Sequence, residues 1–397
     1  MPHILPPDNQ YPVKVTRFGP GSGWYSKLPN GMNCESLLKY ECGGFCPIVH
    51  GDILSGQDLL QQQKTVRSFT IIGKIGHGSY STVWLAKDSS CNRYLALKVL
   101  QHDKSTLDNS EMKILKRLGR LQVAFLHTHP PNTFQYLCLG LEPLGSSLSD
   151  IIDMEIPLPT SLDGIVGFMR VLLGRVEDLH SKGICHGDIS GRNIAFGIHK
   201  DAFTSEALKA TFRYEEKSYI CFSGPEDPPP PRPSYLPQYI TQNPCPTLLT
   251  DPNDVSKIQL LDFGEAFQGV SKDNVHGTTI FLPPERLTGE GEGIASVKTD
   301  LWSLGCALVT GLTGSHLFQN KDMSEEYLKA PNLEAQLGFI DEQLQGNGYL
   351  GSHPDQRQFV AWIIHSLVRI DPSLRDGKKA MEMVEELGRV GNELDRR

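Results

Sequence analysis

Two short strings in this chain carry side chains of the kind that move phosphate. His186-Gly187-Asp188-Ile189-Ser190-Gly191-Arg192-Asn193 sets an Asp and an Asn five positions apart, and Asp262-Phe263-Gly264 adds a second Asp far downstream. A carboxylate can take the proton of an attacking hydroxyl, and Asp and Asn oxygens are the hard ligands that magnesium prefers. Either string alone is weak. Together, behind a glycine-rich turn and a strand lysine, they point to phosphoryl transfer.

The upstream half fits that chemistry. Ile75-Gly76-His77-Gly78-Ser79-Tyr80-Ser81-Thr82-Val83 reads G-x-G-x-x-S-x-V. A dinucleotide fingerprint would run from strand through glycines into a helix. Here Phe69-Thr70-Ile71-Ile72 and Val83-Trp84-Leu85-Ala86 are both strand-like, so the glycines belong to a strand–turn–strand hairpin. Glycine lets the backbone approach a phosphate without a Cβ in the way. Ser81 takes the third glycine's place and is small enough to keep the approach. The next apolar run, Leu95-Ala96-Leu97-Lys98-Val99, carries one lysine. In isolation Lys98 reads equally well as a snorkelling surface residue. One strand after the glycines, it reads better as a phosphate ligand. Glu111 opens a run whose Met112, Leu115 and Leu118 recur at helical spacing, and is the candidate ion-pair partner.

Taken together, these strings resemble the eukaryotic protein kinase family over nearly the whole chain after residue 69. Within it the chain is most similar to the SR-protein kinases. The signs are Tyr40-Glu41-Cys42-Gly43-Gly44-Phe45-Cys46-Pro47 with Gly51-Asp52, Ser81-Thr82-Val83-Trp84-Leu85-Ala86-Lys87-Asp88, and Leu141-Glu142-Pro143-Leu144-Gly145-Ser146-Ser147-Leu148. The resemblance implies an α+β, bilobal protein kinase fold with a small, mostly β N-lobe and a larger, mostly α C-lobe. It implies ATP and Mg2+ as cofactors and a serine/threonine protein substrate. Asp188 would be the general base, with Asn193 and Asp262 as magnesium ligands. Lys98 and Glu111 would fix the triphosphate, and Ile75, Gly76, Gly78 and Ser81 would cap it. Val83 and Ala96 would lie above the adenine and Ala195 below it. Leu141 would be the gatekeeper, with the backbone from Glu142 to Leu144 on the adenine edge. Further on, Pro283-Pro284-Glu285 matches the A-P-E element, Asp300 the brace of the catalytic loop, and Arg375 the late partner of Glu285.

Besides Ser81, the chain departs from the family pattern at two further places. Gly187 replaces the Arg of H-R-D, so a phosphate on Thr278 or Thr279 would lack its usual counter-charge. Ser190 replaces the Lys that steadies the transferring phosphate. Arg192, two positions on, is the candidate substitute, because a cation near the phosphoryl group matters more than its residue type. The rival reading is a catalytically weak, pseudokinase-like scaffold of the same fold. A second rival, a small-molecule phosphotransferase, is disfavoured by the A-P-E element and its Arg partner.

A chain of 397 residues with 39% hydrophobic and 21% charged residues has the composition of a soluble globular protein. Its net charge of -8 suits a basic or arginine–serine-rich protein substrate, or plain solubility, and argues against direct nucleic-acid binding. Nine scattered cysteines point to reduced thiols in the cytoplasm or nucleus. Cys34, Cys42 and Cys46 are followed by no second ligand pair at zinc spacing, so zinc is not expected there. No signal peptide or membrane span is evident, and a monomer is expected. Residues 1–68 read as an N-terminal extension, 69–145 as the N-lobe and hinge, and 146–397 as the C-lobe. A proline-rich insert at about 200–256, including Pro228-Pro229-Pro230-Pro231, reads as a spacer dispensable for catalysis and stability, or as a ligand for a proline-recognising partner.

Overall fold

The strand-like runs pair into one antiparallel sheet. Its order is Ile53–Gln57, Val66–His77, Ser81–Asp88, Tyr94–Leu100, Gln135–Leu141, Val123–Thr128. The structure is a computed structural model. It describes residues 13–17, 24–26, 34–41, 43–62, 65–91, 93–130, 133–156, 159–212, 217–223, 233–241, 249–252, 254–271, 277–287 and 294–394. These form two compact units, residues 1–143 with 199–249, and residues 144–198 with 250–397.

In the first unit, β-branched, aromatic and leucine side chains fill the inside of the sheet. Ile71, Trp84, Leu97, Val99 and Val123 are buried there, and Phe69 stacks on Phe125 at 5.3 Å. The sheet curls until its two edges meet. Leu59 N donates to the Ala124 carbonyl at 2.7 Å, and a Cβ on Gly56 would fall 2.3 Å from the Leu126 carbonyl oxygen. Edges that close on each other offer less of a template for stray strands. The helix Ser110–Arg117 starts where Asn109 accepts a hydrogen bond from Met112 N.

The insert is not the spacer that its composition suggests. Leu236 and Ile240 share a buried cluster with Leu37, Tyr40 and Phe45. Beside it, the fully buried Lys74 ammonium donates to Glu35 at 2.5 Å and to the Thr241 carbonyl. The Tyr40 hydroxyl donates to the same Glu35 at 2.6 Å. A buried ammonium must be matched by charge and hydrogen bonds. Lys74 draws these partners from the N-terminal extension and from the insert, which explains why both fold onto this unit. The backbone adds a four-stranded sheet in the order Tyr239–Thr241, Lys217–Ser223, Val13–Arg17, Trp24–Ser26, its middle pair parallel. The run Pro228 to Pro231 lies outside the described residues.

The second unit is mainly helical. Leu162–Ser181 is the core helix that the apolar spacing from Val166 to Leu179 predicts. Ser161 caps it, and Val166, Met169, Leu172, Leu173, Val176 and Leu179 are buried along it. Val297–Thr313 is buried over most of its length and stops at Gly314, whose φ of 74° suits a residue without a Cβ. Two short antiparallel ribbons position the reactive strings. Ile194–Ala195 pairs with Gln259–Leu260, and Ile184–Cys185 pairs with Phe267–Gln268. Residues 186–193 and 261–266 are therefore loops pinned at both ends.

The late arginine makes the ion pair that the family resemblance implies. Arg375 is wholly buried and donates to both oxygens of Glu285, at 2.6 and 2.8 Å. It also donates to the carbonyls of Arg369 and Lys298, and its guanidinium lies 5.0 Å from the Trp302 ring centre.

Removing one partner of such a pair strands the other. Arg375→Ala should lower the unfolding free energy by about 3–5 kcal/mol, read by urea denaturation. Leu236→Ala and Ile240→Ala should each cost about 2–5 kcal/mol, because each empties part of a buried cluster. Unchanged denaturation midpoints for both would return the insert to the role of a passive spacer.

Candidate active site

In the first unit, Val66–His77 and Ser81–Asp88 form the expected hairpin, closed by Gly78 N donating to Ser81 O at 2.8 Å. Packing does not require its glycines. A Cβ on Gly76 would meet nothing nearer than Val83 Cβ at 4.0 Å, and one on Gly78 nothing nearer than Ser81 Oγ at 3.6 Å. Both lie outside the positive-φ region. What a side chain at either position would obstruct is the approach of something else, which is the requirement of a phosphate-binding turn. Ile75 and Val83 are half-buried on the same hairpin, and Ser81 is buried. Across the sheet Val83 pairs with Lys98, Ala96 with Leu141, and Lys98 with Leu139. Lys98 Nζ donates to Glu111 Oε1 at 2.6 Å, with both residues buried. Glu142 follows Leu141 and is exposed.

In the second unit, Asp188 sits at the centre of a hydrogen-bonded loop. Asn193 Nδ2 donates to both the Asp188 carbonyl and its carboxylate, each at 2.8 Å. Thr278 N donates to the other carboxylate oxygen at 3.3 Å. Burial pushes the Asp188 carboxyl above the usual range, and the donors from Thr278 and Asn193 only partly offset it. Asp262 is exposed at φ 56°, a conformation uncommon for any residue but glycine, and its carboxylate accepts from Gly264 N at 3.3 Å. Phe263 is buried against the His186 ring at 5.0 Å. His186 Nε2 donates to the Leu261 carbonyl at 2.8 Å, so one imidazole joins the two loops. Asp300 accepts from His186 N at 2.7 Å and from Gly187 N at 2.9 Å. Ala195 is buried in its ribbon, and Leu144 is half-buried at the start of this unit.

The departures acquire physical reasons here. Gly187 has φ 81°, and a Cβ on it would fall 2.5 Å from the Glu265 carbonyl oxygen. The position excludes arginine on backbone grounds, a signal that residue type alone does not carry. Thr278 is a partner of Asp188 through its backbone, so a phosphate there would set negative charge beside the carboxylate. Ser190 is buried, and its hydroxyl has no hydrogen-bond partner among the described residues. Arg192 is exposed on the turn Gly191–Asn193. Sequence reasoning missed the Thr278 contact and the His180 ring, which donates to Asp300 at 3.0 Å.

The sequence matches the protein kinase domain over residues 69–208 and 247–385. This chain belongs to the protein kinase family. The match breaks across residues 209–246, within the insert. A serine/threonine protein kinase of Aspergillus fumigatus is 25% identical over 80% of this chain and 76% of its own length. The dual specificity protein kinase lkh1 of Schizosaccharomyces pombe is 24% identical over 72% of this chain, which spans 37% of that relative. The serine/threonine-protein kinase AFC3 of Arabidopsis thaliana is 25% identical over 70% of this chain and 61% of its own length. The family and these relatives place the chain among the serine/threonine protein kinases, with the bilobal α+β fold of that family.

Asp188 also links activity to stability. Its folded carboxyl binds a proton more tightly than the unfolded one, so wild-type stability falls as pH rises from the ordinary carboxyl range through the raised value. Asp188→Asn keeps the shape without the desolvated charge. It should abolish turnover yet match or exceed wild-type stability at neutral pH, with the gap closing as pH falls through that window. Urea denaturation at several pH values measures this. A variant less stable than wild type at every pH would overturn the reading.

Proposed function

We propose that this chain transfers the γ-phosphate of Mg-ATP to serine or threonine hydroxyls of proteins, with a preference for arginine–serine-rich or basic substrates. The Asp188–Asn193 pair is the observation that carries the reading. The carboxylate stands ready to take the hydroxyl proton, and the amide nitrogen is committed to holding it. This leaves the Asn193 amide oxygen, with the exposed Asp262 carboxylate, as a hard-oxygen donor set that fits magnesium. Magnesium, when bound, neutralises charge on the triphosphate. The Lys98–Glu111 ion pair and the unobstructed Gly76 and Gly78 fit phosphate oxygens in the same way.

The roles of the remaining residues follow the family pattern. In that pattern Ile75, Ser81, Val83 and Ala96 of the first unit and Ala195 of the second are nucleotide-contacting positions, Leu141 is the gatekeeper, and the backbone from Glu142 to Leu144 is the adenine-edge segment. Arg192, exposed and next to Asn193, stabilises the phosphoryl charge in place of the lysine missing at Ser190. The net charge of -8 supports a basic partner. The free thiols Cys34, Cys46, Cys91, Cys138, Cys185 and Cys306 suit a reducing compartment, the cytoplasm or nucleus, with the chain acting as a monomer.

Radiolabelled ATP offered with arginine–serine peptides, other basic peptides and a generic protein tests the proposal. The expected result is phosphoserine or phosphothreonine, strongest on the arginine–serine peptides and abolished in Asp188→Ala and Lys98→Met. Arg192→Ala should lower kcat about tenfold or more with little change in the KM for ATP. ATP binding without transfer to any substrate would favour the scaffold reading instead.

A further inference from the structure

The curled sheet of the first unit brings three metal-ligating side chains together at its seam. Cys46 lies in the loop before the strand Ile53–Gln57. His127 lies near the end of the strand Val123–Thr128, and His129 just beyond it. Their ligand atoms all fall within 4.8 Å of one another. Cys46 and His127 are buried and His129 is half-buried. None of the three belongs to the phosphoryl-transfer apparatus, and their positions along the chain show no zinc spacing. The fold, through the meeting of its two sheet edges, makes the cluster.

We propose that Cys46, His127 and His129 bind a zinc ion that pins the N-terminal loop to the last strand of the sheet. One thiolate and two imidazoles are ligands of the type zinc takes. Zinc–sulfur bonds of about 2.3 Å and zinc–nitrogen bonds of about 2.0–2.1 Å would set tetrahedral ligand atoms about 3.3–3.6 Å apart. Small side-chain rotations close the remaining gap. The His127 Nδ1 lies 3.2 Å from the Ser55 carbonyl and 3.3 Å from Ser55 N, and the tautomer that donates Nδ1–H to the carbonyl leaves the Nε2 lone pair for the metal. The Cys46 thiol gives its proton to solvent as the sulfur–metal bond forms. A water would complete the fourth position.

The test uses the full-length chain without a polyhistidine tag, stripped by chelator and titrated with Co2+ and then Zn2+. One equivalent of Co2+ should give the visible bands of a tetrahedral site together with a thiolate charge-transfer band, and Zn2+ should displace both. Cys46→Ser should abolish the thiolate band. His129→Asn, at a half-buried position, should weaken Zn2+ binding about tenfold or more while the protein remains folded by circular dichroism. Cys34→Ser should change nothing. Zn2+ should raise the Tm of the wild-type chain but not of His129→Asn. An octahedral spectrum without a thiolate band, or a spectrum unchanged by Cys46→Ser, would overturn the site. So would failure of the folded wild-type chain to bind Zn2+ at micromolar concentration.

Discussion

The hydrogen bonds converging on Asp300 hold the reactive half of the second unit. One carboxylate oxygen accepts from His186 N and from the His180 ring, and the other accepts from Gly187 N. Hydrogen bonds to a charged acceptor contribute about 1.5–3 kcal/mol each. They also fix the backbone two residues ahead of Asp188. His186 extends the arrangement. Its Nδ1 accepts from Asp188 N at 3.3 Å while Nε2 donates to Leu261 O, so the ring serves as a rigid spacer. One buried carboxylate and one imidazole thus set where Asp188 and Asp262 stand with respect to each other.

Elsewhere the fold uses the same device with opposite charges. Lys98–Glu111, Lys74–Glu35 and Arg375–Glu285 each take at least one member fully or nearly out of water. Buried pairs add little net stability over apolar packing, but breaking one is expensive. Their effect is selective, since a misassembled chain strands a charge. In Glu35, burial pushes the carboxyl up, yet the Lys74 ammonium and the Tyr40 hydroxyl outweigh it and hold the group low. That stabilisation is present above the ordinary carboxyl range and is lost as pH falls through the lowered value.

The family fold and the reactive strings were legible because their signals are local. The glycine turn, the lysine one strand later and the two Asp loops are read from neighbours in sequence. The Glu285–Arg375 pair spans ninety residues and was legible only through the family resemblance. Three features were hidden because they depend on closure. Gly187 looked like a lost arginine until its backbone met Glu265. The insert looked like a spacer because its prolines dominate its composition, while the residues that fix it are Leu236, Ile240 and the Thr241 carbonyl. Cys46 showed no ligand spacing because His127 and His129 reach it only when the two sheet edges meet.

The partition of the chain also bears on the order in which it folds. The chain leaves the first unit after Pro143, returns at His199 and leaves again after Leu249. Synthesis proceeds at about 5–20 residues per second and usually lets the N-terminal domain fold first. Here the nascent first unit emerges with Lys74 lacking its Thr241 acceptor and the Leu37–Tyr40–Phe45 cluster lacking Leu236 and Ile240. Before they arrive, much of the second unit's long core helix is already available. The two units must mature in an overlapping sequence, with an unfinished apolar surface exposed in the interval, which is where a chaperone would find its purchase.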